Sequence, residues 1–172
     1  TLLFLSIIPK KCAFEKGVLE NPRVDSMISG HLWPSIEAGY IDISEGTTFA
    51  SDTLIEIELT GKGGHAAYPE KIKNVVLCGS EIILELDKLS RRFNETGHIN
   101  VLSMCSFDCV SANNVFKDSA HLKGTLRMLD ESSERLLSKS ISDTVLKICE
   151  KYGVKAQCDI PLNYIPLVSV FV

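Results

Sequence analysis

The sequence predicts an α+β fold: a βαββαβ unit over residues 49–160, closing as a split-βαβ domain with a four-stranded antiparallel sheet and two helices, flanked by remnants of an α/β layer. Three observations carry this. Leu54, Ile55, Ile57 and Leu59 are interleaved with Glu56, Glu58 and Thr60, the alternation of a strand with one wet face. Ile72, Val75, Val76, Ile82, Ile83, Leu86 and Leu89 then recur at three- and four-residue steps, the stripe of an amphipathic helix. The same switch of period returns later in the chain, and right-handed crossovers bring both helices onto one face.

Taken in order, the first strand breaks at Gly61, Gly63 and Gly64, and Pro69 suits the first turn of a helix running to about Arg92, with Gly97 at its exit. Residues 98–107 read as a second strand through Ile99, Val101 and Leu102, and residues 120–128 as a third, joined by a polar connection over 111–118. Asp130 is the expected N-cap of a second helix with a stripe of Leu137, Ile141, Val145, Ile148 and Tyr152; Gly153 closes it, and residues 154–160 form the fourth strand. Residues 1–8 and 24–31 read as short buried strands joined by a brief helix ending near Leu19, part of a separate α/β layer. The expected organisation is a partial α/β domain over 1–48, the βαββαβ domain over 49–160 and a return segment over 161–172.

At 172 residues and 45% hydrophobic, the chain can bury one good core. Its net charge of -4 and scattered basic residues exclude a nucleic-acid footprint. None of the six cysteines forms a CxxC pair and several fall on apolar stripes, which predicts a reducing, cytoplasmic setting. The apolar start is too short to span a bilayer and lacks signal-peptide flanks, so no membrane partner is expected. The first residue is Thr, which suggests that the sequence begins inside a longer gene.

Three places could carry chemistry. In Gly61-Lys62-Gly63-Gly64-His65-Ala66-Ala67-Tyr68-Pro69, glycines free the backbone around one imidazole that could donate to a developing oxyanion; on spacing alone, a glycine-rich turn with a surface histidine is the commoner case. His31, in Gly30-His31-Leu32-Trp33-Pro34, ends an apolar strand, where either a metal ligand or a hydrogen-bonded structural histidine belongs. Asn114 and Arg127 pair an amide with a guanidinium suited to a carboxylate, although an exposed strand arginine and a turn asparagine fit the same pattern.

The strings GHLWP, FASDTLIEIELTGKGGHAAYPE, NNVFKDSAHLKGTLR and KYGVKAQ, in this order, resemble the peptidase M20 family in its amidohydrolase branch, which removes acyl groups from amino acids and includes IAA-amino acid hydrolase-like enzymes. The resemblance implies a two-domain hydrolase with a dinuclear zinc or manganese centre, over which a βαββαβ lid closes and dimerises. It implies His31 as a metal ligand, His65 as the lid histidine that stabilises the oxyanion, commonly for the neighbouring subunit's cleft, and Asn114 with Arg127 as the groups that hold the substrate carboxylate.

The chain also departs from the family. Where a Pro-Ala-Glu-Glu stretch should supply the general base and a metal ligand, it reads Ile7-Ile8-Pro9-Lys10-Lys11, with no acid before Glu15. The upstream ligand motifs and the last C-terminal histidine are missing from these residues, and a lysine ammonium cannot replace a carboxylate around zinc. The expectation is a fragment or degenerate copy of an enzyme acting on N-acyl amino acids, homodimeric through its lid, inactive alone and not holding a divalent metal tightly. The alternative is a non-catalytic oligomerisation or carboxylate-binding domain.

Overall fold

The computed structural model of the chain describes residues 2–5, 17, 20, 23–29, 32–43 and 45–169. His31 and the helix expected to end near Leu19 lie outside the described residues. Two compact units emerge, Thr1–Ile43 and Ser44–Val172. In the first, β1 (Leu2–Leu5) and β2 (Ser26–Ser29) pair in parallel, Leu2 opposite Ser26. Parallel pairing is characteristic of α/β layers.

The second unit runs β3 (Gly46–Phe49), β4 (Asp52–Thr60), β5 (Gly64–His65), α1 (Val75–Glu95), β6 (Asn100–Asp108), β7 (Val115–Phe116), β8 (Ser119–Met128), α2 (Glu131–Tyr152), β9 (Lys155–Asp159), β10 (Leu162–Tyr164) and β11 (Leu167–Ser169). Its sheet is antiparallel in the order β9, β4, β8, β6, and β10 continues beyond β9 along the same edge of β4. This is the split-βαβ order with four principal strands and two helices. The return strand β11 pairs with β3, which keeps residues 46–49 in the second unit, although the sequence pattern placed the boundary after residue 48.

Strand alternation produces the core directly. Ile55, Ile57 and Leu59 of β4 and Leu122, Leu126 and Met128 of β8 face inward, where they meet Cys78, Ile82 and Leu86 of α1 and Leu137, Ile141 and Val145 of α2. Each fully buried aliphatic side chain contributes about 1.5–3 kcal/mol. The opposite face of the sheet is open, carrying Glu56 and Glu58 of β4 beside His121 and Lys123 of β8.

The first helix starts later than its proline suggested. Pro69–Lys71 forms a single 3-10 turn; Ile72 is extended, and Lys62 and Lys73 exchange backbone hydrogen bonds in both directions. That bridge holds the chain straight until Asn74, whose side chain accepts from the amides of Val76 and Leu77 and caps α1. The second helix keeps its expected ends: Asp130 accepts from the Ser133 amide, and Gly153 takes the left-handed conformation at φ 63°.

Candidate functional site

At the glycine-rich corner, two close approaches explain the glycines. A Cβ on Gly61 would lie 2.2 Å from the Lys73 carbonyl oxygen, and one on Gly63 would lie 2.2 Å from the Phe116 carbonyl oxygen. The chain after β4 is thus pressed between the lead-in to α1 and the hairpin joining β6 to β8. The Gly63 amide donates to Asp118 Oδ1 at 2.6 Å. β5 then pairs with β7, setting His65 opposite Val115, and the Ala66 amide donates to the Asn114 carbonyl at 2.9 Å. Backbone bonds alone thereby bring His65 and Asn114 together, both on exposed ground.

The imidazole is oriented as well as placed. The Ala67 amide donates to His65 Nδ1 at 3.1 Å, so the neutral ring carries its own proton on Nε2. Tyr68 packs edge-on to the ring, with centroids 6.2 Å apart, and Lys71 sits 4.8 Å over the Tyr68 ring. The result is an oriented N–H donor on an exposed ring, the requirement for stabilising charge that develops on a substrate oxygen.

Arg127 lies elsewhere. It sits near the far end of β8, separated from the Asn114 corner by roughly 25 Å of strand at about 3.3 Å per residue. Its guanidinium lies 3.3 Å from Asp52 Oδ1 on the open face, with the Arg127 side chain half exposed. This pair ends a ladder of polar contacts between β4 and β8, with Lys123 3.6 Å from Glu56 and the His121 ring 3.5 Å from Glu58. The antiparallel register sets Lys123 directly opposite Glu56 and His121 opposite Glu58.

Of the residues expected from sequence, the fold brings His65 and Asn114 together and sets Arg127 apart; His31 is outside the described residues. Among those residues, no group of three or more His, Cys, Asp or Glu could hold a metal ion, so no metal-activated step is assigned to them. Sequence reading missed Asp52 and Asp118. The register of β4 against β8 would have revealed Asp52, whereas Asp118 depends on a loop contact that no periodicity announces.

This combination defines an α+β accessory domain with exposed polar side chains at both ends of its sheet. The chain belongs to the M20 peptidase family: residues 54–153 match its peptidase dimerisation domain. It is 31% identical over 150 residues to an N-acetyldiaminopimelate deacetylase of Bacillus subtilis, across 87% of this chain and 40% of that protein. It is 28% identical over 155 residues to an N-acyl-L-amino acid amidohydrolase of Geobacillus stearothermophilus, across 90% and 41% respectively. The chain spans about 40% of the length of these curated relatives.

Among solved structures, an aminohydrolase from methicillin-resistant Staphylococcus aureus superposes with a TM-score of 0.82 at 24% identity, covering 92% of this chain and 42% of that one. A dinuclear metal-binding M20 peptidase of Bacillus subtilis gives a TM-score of 0.69 at 21% identity, covering 92% and 38%. At these identities the likeness concerns fold. It agrees with the split-βαβ architecture.

Proposed function

We propose that the chain is the lid and dimerisation part of an M20-type amidohydrolase acting on N-acyl amino acids or related amides. In this reading His65 Nε2 donates to the oxyanion of the scissile amide, Asn114 supports the bound substrate, and Arg127 holds its carboxylate. The observation that carries the reading is the Ala67–His65 hydrogen bond, which leaves Nε2 of an exposed ring as the donor. The metal centre named for the Bacillus subtilis neighbour would supply the activated water. His31 is the one residue of this chain that the family resemblance assigns to it, and turnover requires ligands beyond His31.

Because Arg127 and the His65–Asn114 corner are far apart in one chain, the site is a composite of two copies, the corner of one facing the arginine of its partner. Among the described residues the outer edge of strand β6 has no strand partner, and Leu77 and Leu84, seven residues apart on α1, expose 56% and 62% of their surfaces. Both suit self-association. The five described cysteines are free, as a cytoplasmic setting would leave them. No helix among the described residues is long and apolar enough to cross a membrane.

Mixing variants tests the composite. Titrated with N-acetyl-L-alanine, the Asn114→Ala and Arg127→Ala proteins should each lose binding, and their mixture should recover it, because one site of each mixed dimer is intact. Unchanged binding in Arg127→Ala, or a mixture no better than its components, would overturn the assignment.

A further inference from the structure

Two successive tight turns arrange the tyrosine and the lysine that follow His65. The Tyr68 amide donates to the His65 carbonyl at 3.0 Å, and the Lys71 amide donates to the Tyr68 carbonyl at 3.1 Å. Residues three apart in such turns eclipse one another, so His65, Tyr68 and Lys71 fall in one row. Their side chains follow the backbone: the Tyr68 ring stands edge-on to the imidazole at 6.2 Å, and Lys71 Nζ lies 4.8 Å from the centre of the same ring. Laid end to end, these two spans keep the ammonium within about 11 Å of the imidazole.

Every group in this row is open to solvent. His65 and Lys71 are exposed, and Tyr68 shows 55% of its surface. The Lys71 ammonium has no carboxylate partner among the described residues, whereas Lys88, Lys123 and Lys151 each have one, and the adjacent Glu70 does not pair with it. An aromatic face attracts a cation without neutralising it, so Tyr68 steadies the charge and leaves its N–H donors for a ligand.

We propose that Lys71, steadied by Tyr68, forms an anion subsite beside His65 that favours substrates carrying a second carboxylate. The assignment rests on the oxyanion role proposed for His65. In that reading the first carboxylate belongs to Arg127 of the partner subunit, and the scissile carbonyl oxygen meets His65 Nε2. A second carboxylate a few atoms along the same molecule, on the acyl group or on the amino-acid side chain, then comes within reach of Lys71. An ammonium suits this task, since its donors rotate on a flexible stem and accept a carboxylate from either position, whereas a guanidinium fork would demand one geometry.

The test is a calorimetric titration of the chain at low ionic strength with two matched pairs, N-acetyl-L-glutamate against N-acetyl-L-glutamine and N-succinyl-L-alanine against N-succinamoyl-L-alanine, with N-acetyl-L-alanine as the baseline. In at least one pair the acid should bind about threefold to fivefold more tightly than its amide, the range open to an exposed charge pair. The pair that shows the preference identifies whether the side chain or the acyl group faces Lys71. Lys71→Met, an exposed change that keeps the stem, should bring acid and amide to equal affinity, and Lys71→Arg should retain most of the difference. Equal binding of acid and amide in both pairs, or a preference that survives Lys71→Met because Lys62 or Lys117 carries it, would overturn the proposal and leave the His65 reading standing. Absence of any N-acetyl-L-alanine binding would overturn the His65 reading and this one with it.

Discussion

The two ends of β8 solve the problem of holding a functional group in opposite ways. At the hairpin end, His65 and Asn114 are placed by backbone: the β5–β7 pairing, the Ala66–Asn114 bond and the Ala67 amide on the imidazole. At the other end, Arg127 rides on a regular strand and is oriented by one side-chain ion pair, to Asp52. The first arrangement is rigid and demands glycine at close contacts. The second is adjustable, because an exposed ion pair can exchange its carboxylate for a ligand's at little cost. A donor aimed at a reacting oxygen benefits from the first, and a clamp for an incoming carboxylate from the second.

The strongest way to break the comparison is to remove what both ends share. Ile57 is 1% exposed at the middle of β4, beneath both helices. Ile57→Ala should cost about 2–5 kcal/mol and lower the denaturation midpoint measured by circular dichroism. Both ends should be affected together. If exchange protection were lost at only one end, the sheet would not be acting as a single scaffold.

A smaller and one-sided effect is expected from Gly63→Val. Its Cβ would meet the Phe116 carbonyl, so β5 must part from β7 at a cost of about 1–3 kcal/mol, typical of overpacking. The amide shifts of Ala66 and Ala67 should move, while the strand amides around Arg127 stay in place. Movement at both ends would show that the glycine corner is coupled to the rest of the sheet.

The smallest effect on stability, and the sharpest on binding, should come from Asp52→Asn. An exposed pair contributes about 0–1 kcal/mol, so the melting temperature should barely move. The released guanidinium should then bind N-acetyl-L-alanine more tightly in a calorimetric titration. Weaker binding in this variant would mean that Asp52 positions Arg127 for its ligand instead of competing with it.

Much of this architecture was legible beforehand. The period of Leu54 to Thr60 identified β4 and its inner face, and Asp130 and Gly153 marked both ends of α2, because alternation and capping are local properties. The start of α1 was not legible: the proline turn was real but stood apart from the helix, since the Lys62–Lys73 bridge joins residues that no helical period relates. The glycines of the corner were visible as a motif, but not the carbonyls that require them.

By itself, then, the sequence determined the order of the elements, the buried faces and the residue types available for chemistry, all of which follow from interactions between near neighbours. Tertiary structure alone decided which of those residues meet. It joined His65 to Asn114 through a strand pairing across some fifty residues and carried Arg127 a strand's length away to face Asp52. Such proximities depend on register and on the packing of helices against the sheet. These are set by the whole core at once, and no local stretch of sequence contains them.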